Sequence, residues 1–119
     1  AEIEQWRQQG KDVILEIDVQ GALQVKQACK DSVLVFVLPP SLTELKNRLI
    51  GRNTEDEATV LKRLQAAKNE ISQAHLYDYI ICNDIIENAV HAAHCIIQAE
   101  KYRQSRQECH VKAMLEQAI

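Results

Sequence analysis

The chain has 119 residues, 46% of them hydrophobic and 26% charged, a balance that fits one globular domain or part of one and excludes a disordered polymer. A net charge of −3 gives no broad basic surface for nucleic acid, and no apolar run reaches membrane-spanning length. No secretory leader is visible and the chain begins at Ala1, read as a cloning or processing boundary, so the expected compartment is the cytoplasm.

Only three glycines and two prolines occur, which predicts short loops and a chain that is mostly helix or strand. No internal repeat, low-complexity tract or linker divides it, so residues 1–119 read as a single partial domain. The four cysteines, Cys29, Cys82, Cys95 and Cys109, form no CxxC pair. Two fall within apolar segments, which favours buried free thiols over disulfides.

In chain order, residues 1–9 resemble the end of a preceding helix. Val13–Asp18 (VILEID) reads as a first strand, Val33–Leu38 (VLVFVL) as a second and Tyr79–Cys82 (YIIC) as a third. VLVFVL does not alternate, the pattern of a strand buried on both faces of a parallel sheet. Helical patterns lie between. Gln20–Cys29 is one, and Leu42–Ile50 a second, opened by a capping box of Ser41 and Glu44 after Pro39-Pro40. Thr54 and Glu57 form another box, opening a long helix with Leu61, Leu64, Ala67 and Ile71 on one stripe. A final helix runs from near Asp84 to about Arg106 or beyond, with Ile86, Ala89, Val90, Ala93 and Ile97 turned inward. Strands alternating with helices imply βαβ crossovers and an α/β fold, with about three strands and further partners expected upstream of Ala1.

Two stretches carry chemistry. VILEID is an apolar strand that ends in Glu16 and Asp18, and ligands of open α/β sheets sit beyond the carboxyl ends of strands. Buried acids need water, a ligand or a metal shell, and an apolar strand ending in acid has the form of a Walker B segment. The alternative is that Asp18 caps the following helix and Glu16 pairs with a neighbouring base. The second stretch, RLIGRNTEDEATVLKRL, places Arg48 and Arg52 one helical turn apart and Arg63 on the next helix. Three guanidinium groups around one loop suit the peripheral oxygens of a transferring phosphoryl group. The alternative is a solvated loop with Arg48 and Arg63 tied to Glu44, Glu55 or Asp56.

DVILEIDVQGA, VLPPSLTELKNRLIGRNTEDEATVLKRL and YDYIICND together resemble the guanylate kinase family, in its order and near its spacing, over roughly Gly10 to Arg106. The resemblance implies the C-terminal portion of a parallel-sheet P-loop NTPase-like nucleoside monophosphate kinase fold, with a lid at about residues 51–62. It implies transfer of the γ-phosphoryl of Mg2+-bound ATP to GMP. Arg48, Arg52 and Arg63 match the catalytic arginines that close over ATP. Asp18 matches the acid that holds the guanine base, whose N–H donors suit an acceptor-only carboxylate. Glu16 matches an acid near the metal and phosphates, and Asn83 a position beside the adenine. No residue is implied as a direct metal ligand.

Three positions depart from the family pattern. Glu16 stands where aspartate is expected, with a reach suited to metal-bound water. Asn53 replaces the usual glycine after the lid arginine, and asparagine still tolerates a left-handed backbone. Ile85 replaces an acid, a change expected to touch helix capping more than catalysis. No GxxxxGK[ST] occurs; Gly10-Lys11-Asp12 lacks the earlier glycine and the following hydroxyl. The phosphate cradle and the domain that clamps the GMP phosphate are therefore expected upstream, and residues 1–119 alone are expected to be inactive. A different class stays open: the guanylate kinase-like binding modules of membrane-associated scaffolds, which take phosphopeptides and transfer no phosphate. Retention of the three arginines argues against it.

Elsewhere, His91 and His94 read as a chance surface pair, with Cys95 expected to point away. Tyr79 and Phe36 read as core. Val111, Met114, Leu115 and Ala118 share a helical stripe suited to docking on the domain or on a second subunit of a homo-oligomer.

Overall fold

The computed structural model describes residues 2–51 and 56–119. The chain folds as two compact units, Ala1–Leu34 and Val35–Ile119.

In the first unit, α1 (Glu2–Gln8) ends where Gly10 adopts φ 80. The Gly10 N–H donates to the Arg7 carbonyl and the Lys11 N–H to the Trp6 carbonyl, both at 3.0 Å. That pair of bonds is a Schellman motif, and its left-handed residue is why a glycine stands at position 10. Residues 11–18 carry no regular structure. The strand expected at Val13–Asp18 is thus not formed. A strand is held by its ladder, and among the described residues the sheet contains two strands, neither of them this one. Ile14, Leu15 and Ile17 are exposed. The helix α2 (Val19–Ala28) follows, close to its expected span, with Val19 and Ala22 buried. Arg7 ties α1 to the turn after α2, its Nη1 donating to Glu4 Oε1 at 2.8 Å and to Cys29 Sγ at 3.4 Å, with Asp31 Oδ2 3.9 Å from its Nη2.

In the second unit, β1 (Val35–Leu38) runs parallel to β2 (Tyr79–Cys82), pairing Val35 with Tyr79 and Leu38 with Cys82. Two parallel strands need a crossover, and α3 (Leu42–Gly51) and α4 (Glu57–Ile71) supply it. The parallel pairing is as expected; full burial is not. Val37 and Ile80 are more than half exposed, at 54% and 53%. Phe36 meets Tyr77 edge-on, with ring centroids 4.9 Å apart.

The helix signals hold at α3, where Ser41 Oγ accepts from the Glu44 N–H at 2.9 Å. At α4 the cap is Asp56, whose Oδ1 accepts from the Thr59 N–H at 2.8 Å. The expected Thr54–Glu57 box rests on Thr54, which lies outside the described residues. The buried residue of α4 is Val60, so the inward stripe runs through Val60 and Leu64, while Leu61 is 58% exposed. The helix α5 (Ile86–Lys101) starts after Ile85, which makes no side-chain cap. It stops short of Arg106 because Arg103 turns extended (φ −58, ψ 138). A short 3-10 turn at Gln104–Arg106 leads into α6 (Glu108–Leu115), whose Val111, Met114 and Leu115 are exposed. All four cysteines are free, as expected, but Cys82, Cys95 and Cys109 are exposed and Cys29 half-buried. Ile86 and Val90 are likewise exposed on α5.

Candidate functional site

Asp18 is the N-cap of α2. Its Oδ1 accepts from the Gly21 N–H at 2.7 Å, satisfying one of the donors that a helix start leaves open. A carboxylate here also faces the positive end of the helix. Gly21 is fitted to that contact: a Cβ at position 21 would lie 3.0 Å from Asp18 Oδ1 and 3.4 Å from Ile17 Cβ. This explains the acid-then-glycine spelling of IDVQGA. Asp18 is exposed, and capping engages one oxygen of a group with several acceptor positions. Glu16 is exposed two residues earlier. Both acids belong to the first unit.

The arginines belong to the second. Arg48 lies in the last turn of α3, with its Nε 3.5 Å from Glu44 Oε1 and both side chains 48% exposed. This is the i,i+4 pairing weighed against the catalytic reading. At such exposure it is worth a few tenths of a kcal/mol (~0.3–0.5), too little to hold the guanidinium against a phosphate. Arg63 is exposed on α4. Arg52, and Asn53 beside it, lie outside the described residues. The helices α3 and α4 pack on each other, and a groove between them is lined by Leu42, Thr43, Lys46, Leu64, Gln65 and Lys68. Its two lysines carry no motif that marks them in the sequence. Asn83 follows β2; its backbone N–H donates to the Leu38 carbonyl at 2.8 Å, which holds this half-buried residue at the carboxyl end of the parallel pair.

A second feature escapes the sequence reading altogether. Glu100, only 7% exposed, accepts from Arg103 through both oxygens (Nε to Oε1 and Nη2 to Oε2, 2.8 Å each). Arg106 Nη1 donates to Oε1 at 2.5 Å and to the Glu100 carbonyl at 3.0 Å. The Tyr79 hydroxyl donates to Oε2. The Arg103 fork, then the tyrosine hydroxyl, hold the Glu100 carboxyl down at about 2. The Tyr79 hydroxyl is raised in turn, chiefly by its bond to Glu100. The cluster clamps the end of α5 to the start of β2. Its signal in the sequence is the i,i+3 spacing of Glu100 and Arg103.

Parallel strands joined by a helical crossover, with Asn83 just past the strand end and arginines on the crossover, define an α/β protein. A family model described as guanylate kinase matches residues 1–100. The chain belongs to the guanylate kinase family. It is 49% identical over 106 residues to a guanylate kinase of Thermus thermophilus, covering 89% of this chain and 48% of that protein. It is 46% identical over 114 residues to a guanylate kinase of Bacillus subtilis, covering 96% and 56%. A guanylate kinase of Oceanobacillus iheyensis is 44% identical over 117 residues, covering 98% and 57%. The chain thus spans about half the length of the curated relatives it matches. Membership implies a P-loop NTPase fold, with which the parallel pair and its helices are consistent. Among the described residues, no helix is long and apolar enough to cross a membrane.

Proposed function

We propose that the protein to which this chain belongs is a guanylate kinase that moves the γ-phosphoryl group of ATP to GMP, giving ADP and GDP in the cytoplasm. The observation that carries this reading is the 44–49% identity to the guanylate kinases named above across nearly the whole chain. Residues 1–119 form part of its single catalytic domain, with a lid at about 51–62.

In this reading Arg48, Arg52 and Arg63 draw in over the phosphates of ATP. Their planar forks meet the peripheral oxygens on which charge accumulates during transfer. The weak surface pairing of Arg48 with Glu44 supports a side chain that can leave its partner for a phosphate. Asp18 accepts from the N1–H and N2–H edge of guanine, with the α2 cap holding its carboxylate in place. Asn83 lies beside the adenine. Mg2+ would arrive with ATP and would supply positive charge that offsets the phosphates. The hard oxygen donors of Glu16 suit the water shell of such an ion.

Catalysis of this kind is positioning and electrostatics, so a chain without a GxxxxGK[ST] cradle forfeits nearly all of it. The test is GMP-dependent ADP release in a coupled assay. The complete protein should turn over, and residues 1–119 alone should not. Robust turnover by residues 1–119 would refute the need for the cradle. Phosphopeptide binding by the complete protein, with no affinity for GMP or ATP, would replace the kinase reading with the scaffold-module one.

A further inference from the structure

On α5, His91 and Cys95 are brought together. His91 Nε2 and Cys95 Sγ lie 3.5 Å apart on successive turns, and both side chains are exposed. This corrects the expectation that Cys95 points away. The i,i+4 spacing instead stacks the two on one face, with His94 one residue off it.

That separation has a chemical meaning. A tetrahedral zinc ion takes sulfur at about 2.3 Å and imidazole nitrogen at about 2.0–2.1 Å, which at about 109° puts the two ligand atoms about 3.5 Å apart. The separation, which as it stands is that of a thiol–imidazole hydrogen bond, also matches the bite of a tetrahedral chelate. Imidazole with thiolate is a borderline-soft donor pair, suited to Zn2+ and Co2+ and poorly suited to Mg2+. Among the described residues no third His, Cys, Asp or Glu joins them. Water would complete the shell of a bound ion.

We propose that His91 and Cys95 form a two-point chelate for a thiophilic divalent cation on the exposed face of α5, separate from the Mg2+ that accompanies ATP. The probe is Co2+, titrated into the reduced chain of residues 1–119 with exclusion of oxygen. A thiolate-to-cobalt charge-transfer absorption should grow in and saturate at one ion per chain. Zn2+ should displace it and Mg2+ should not. His91→Ala and Cys95→Ser should each weaken binding about tenfold or more, while His94→Ala leaves it unchanged. Helicity by circular dichroism, read on every variant, keeps loss of fold apart from loss of a ligand. The proposal is overturned if no thiolate–cobalt absorption develops, or if it survives both substitutions on one of the other three cysteines.

Discussion

Arg103 lays both prongs of its guanidinium on the Glu100 carboxylate, at 2.8 Å each, where α5 ends and the chain turns back. A carboxylate this enclosed is tolerable because Arg103, Arg106 and the Tyr79 hydroxyl all donate to it. The cluster joins the two elements that flank the edge on which Asn83 sits.

Its pH signature follows from sign. The Glu100 carboxyl sits at about 2 in the folded chain, below its ordinary value of 4.5. The stabilisation is present above about 4.5 and drains away as pH falls toward about 2. Urea midpoints measured from pH 7 to pH 2 should fall through this window. In Glu100→Gln the fall should be shallower. At pH 7 the substitution should cost about 1–2 kcal/mol, less than a fully buried pair because Arg103 is half in water.

Asp18 caps α2, and in the proposed kinase reading it also holds guanine; one pair of substitutions separates the two duties. Asp18→Ala removes the α2 cap and should cost about 1 kcal/mol of stability. Asp18→Asn keeps a capping oxygen and should leave stability within about 0.5 kcal/mol. In the complete protein, Asn should nevertheless raise the KM for GMP about tenfold or more, because an amide presents one acceptor where guanine needs two. Denaturant midpoints and steady-state kinetics on the same variants would check both halves.

The closeness of Gly21 to that cap is testable as a coupling. In the native background, Gly21→Ala trades a helix-propensity gain of about 1 kcal/mol against a Cβ that lies 3.0 Å from Asp18 Oδ1, and the two should nearly cancel. In the Asp18→Ala background the obstruction is gone and Gly21→Ala should stabilise by about 1 kcal/mol. A double-mutant cycle by urea denaturation reads the difference.

Arg48 should behave as a transition-state contact. In the complete protein Arg48→Ala should lower kcat about 100-fold or more, with a smaller change in KM for ATP. Glu44→Ala, which removes only its surface partner, should leave kcat within about twofold. Arg48→Lys should recover little, because an ammonium cannot reproduce the planar fork. Steady-state kinetics on the three variants would check this.

Much of the chain is legible in advance because the signals are local. Ser41 caps α3, Asp18 precedes α2 as an acid at a helix start, and β1 and β2 pair in parallel as the helices between them demand. At the start of α4 the cap is the carboxylate of Asp56. The pairs Glu100–Arg103 and His91–Cys95 are also within reach, through spacings of three and four, but one such spacing among many does not say which pair closes.

The sequence by itself determined the kin of this protein, since the spelling of IDVQGA and of the arginine segment is written residue by residue, and it determined helix starts, which depend on neighbours three or four positions away. The tertiary structure alone decided the rest. It left VILEID unpaired, because a ladder is made by a second strand. It chose Val60 over Leu61 and exposed three of the four cysteines, because burial depends on what packs opposite. It brought Tyr79 to Glu100 across 21 positions of chain, a meeting that local periodicity does not encode.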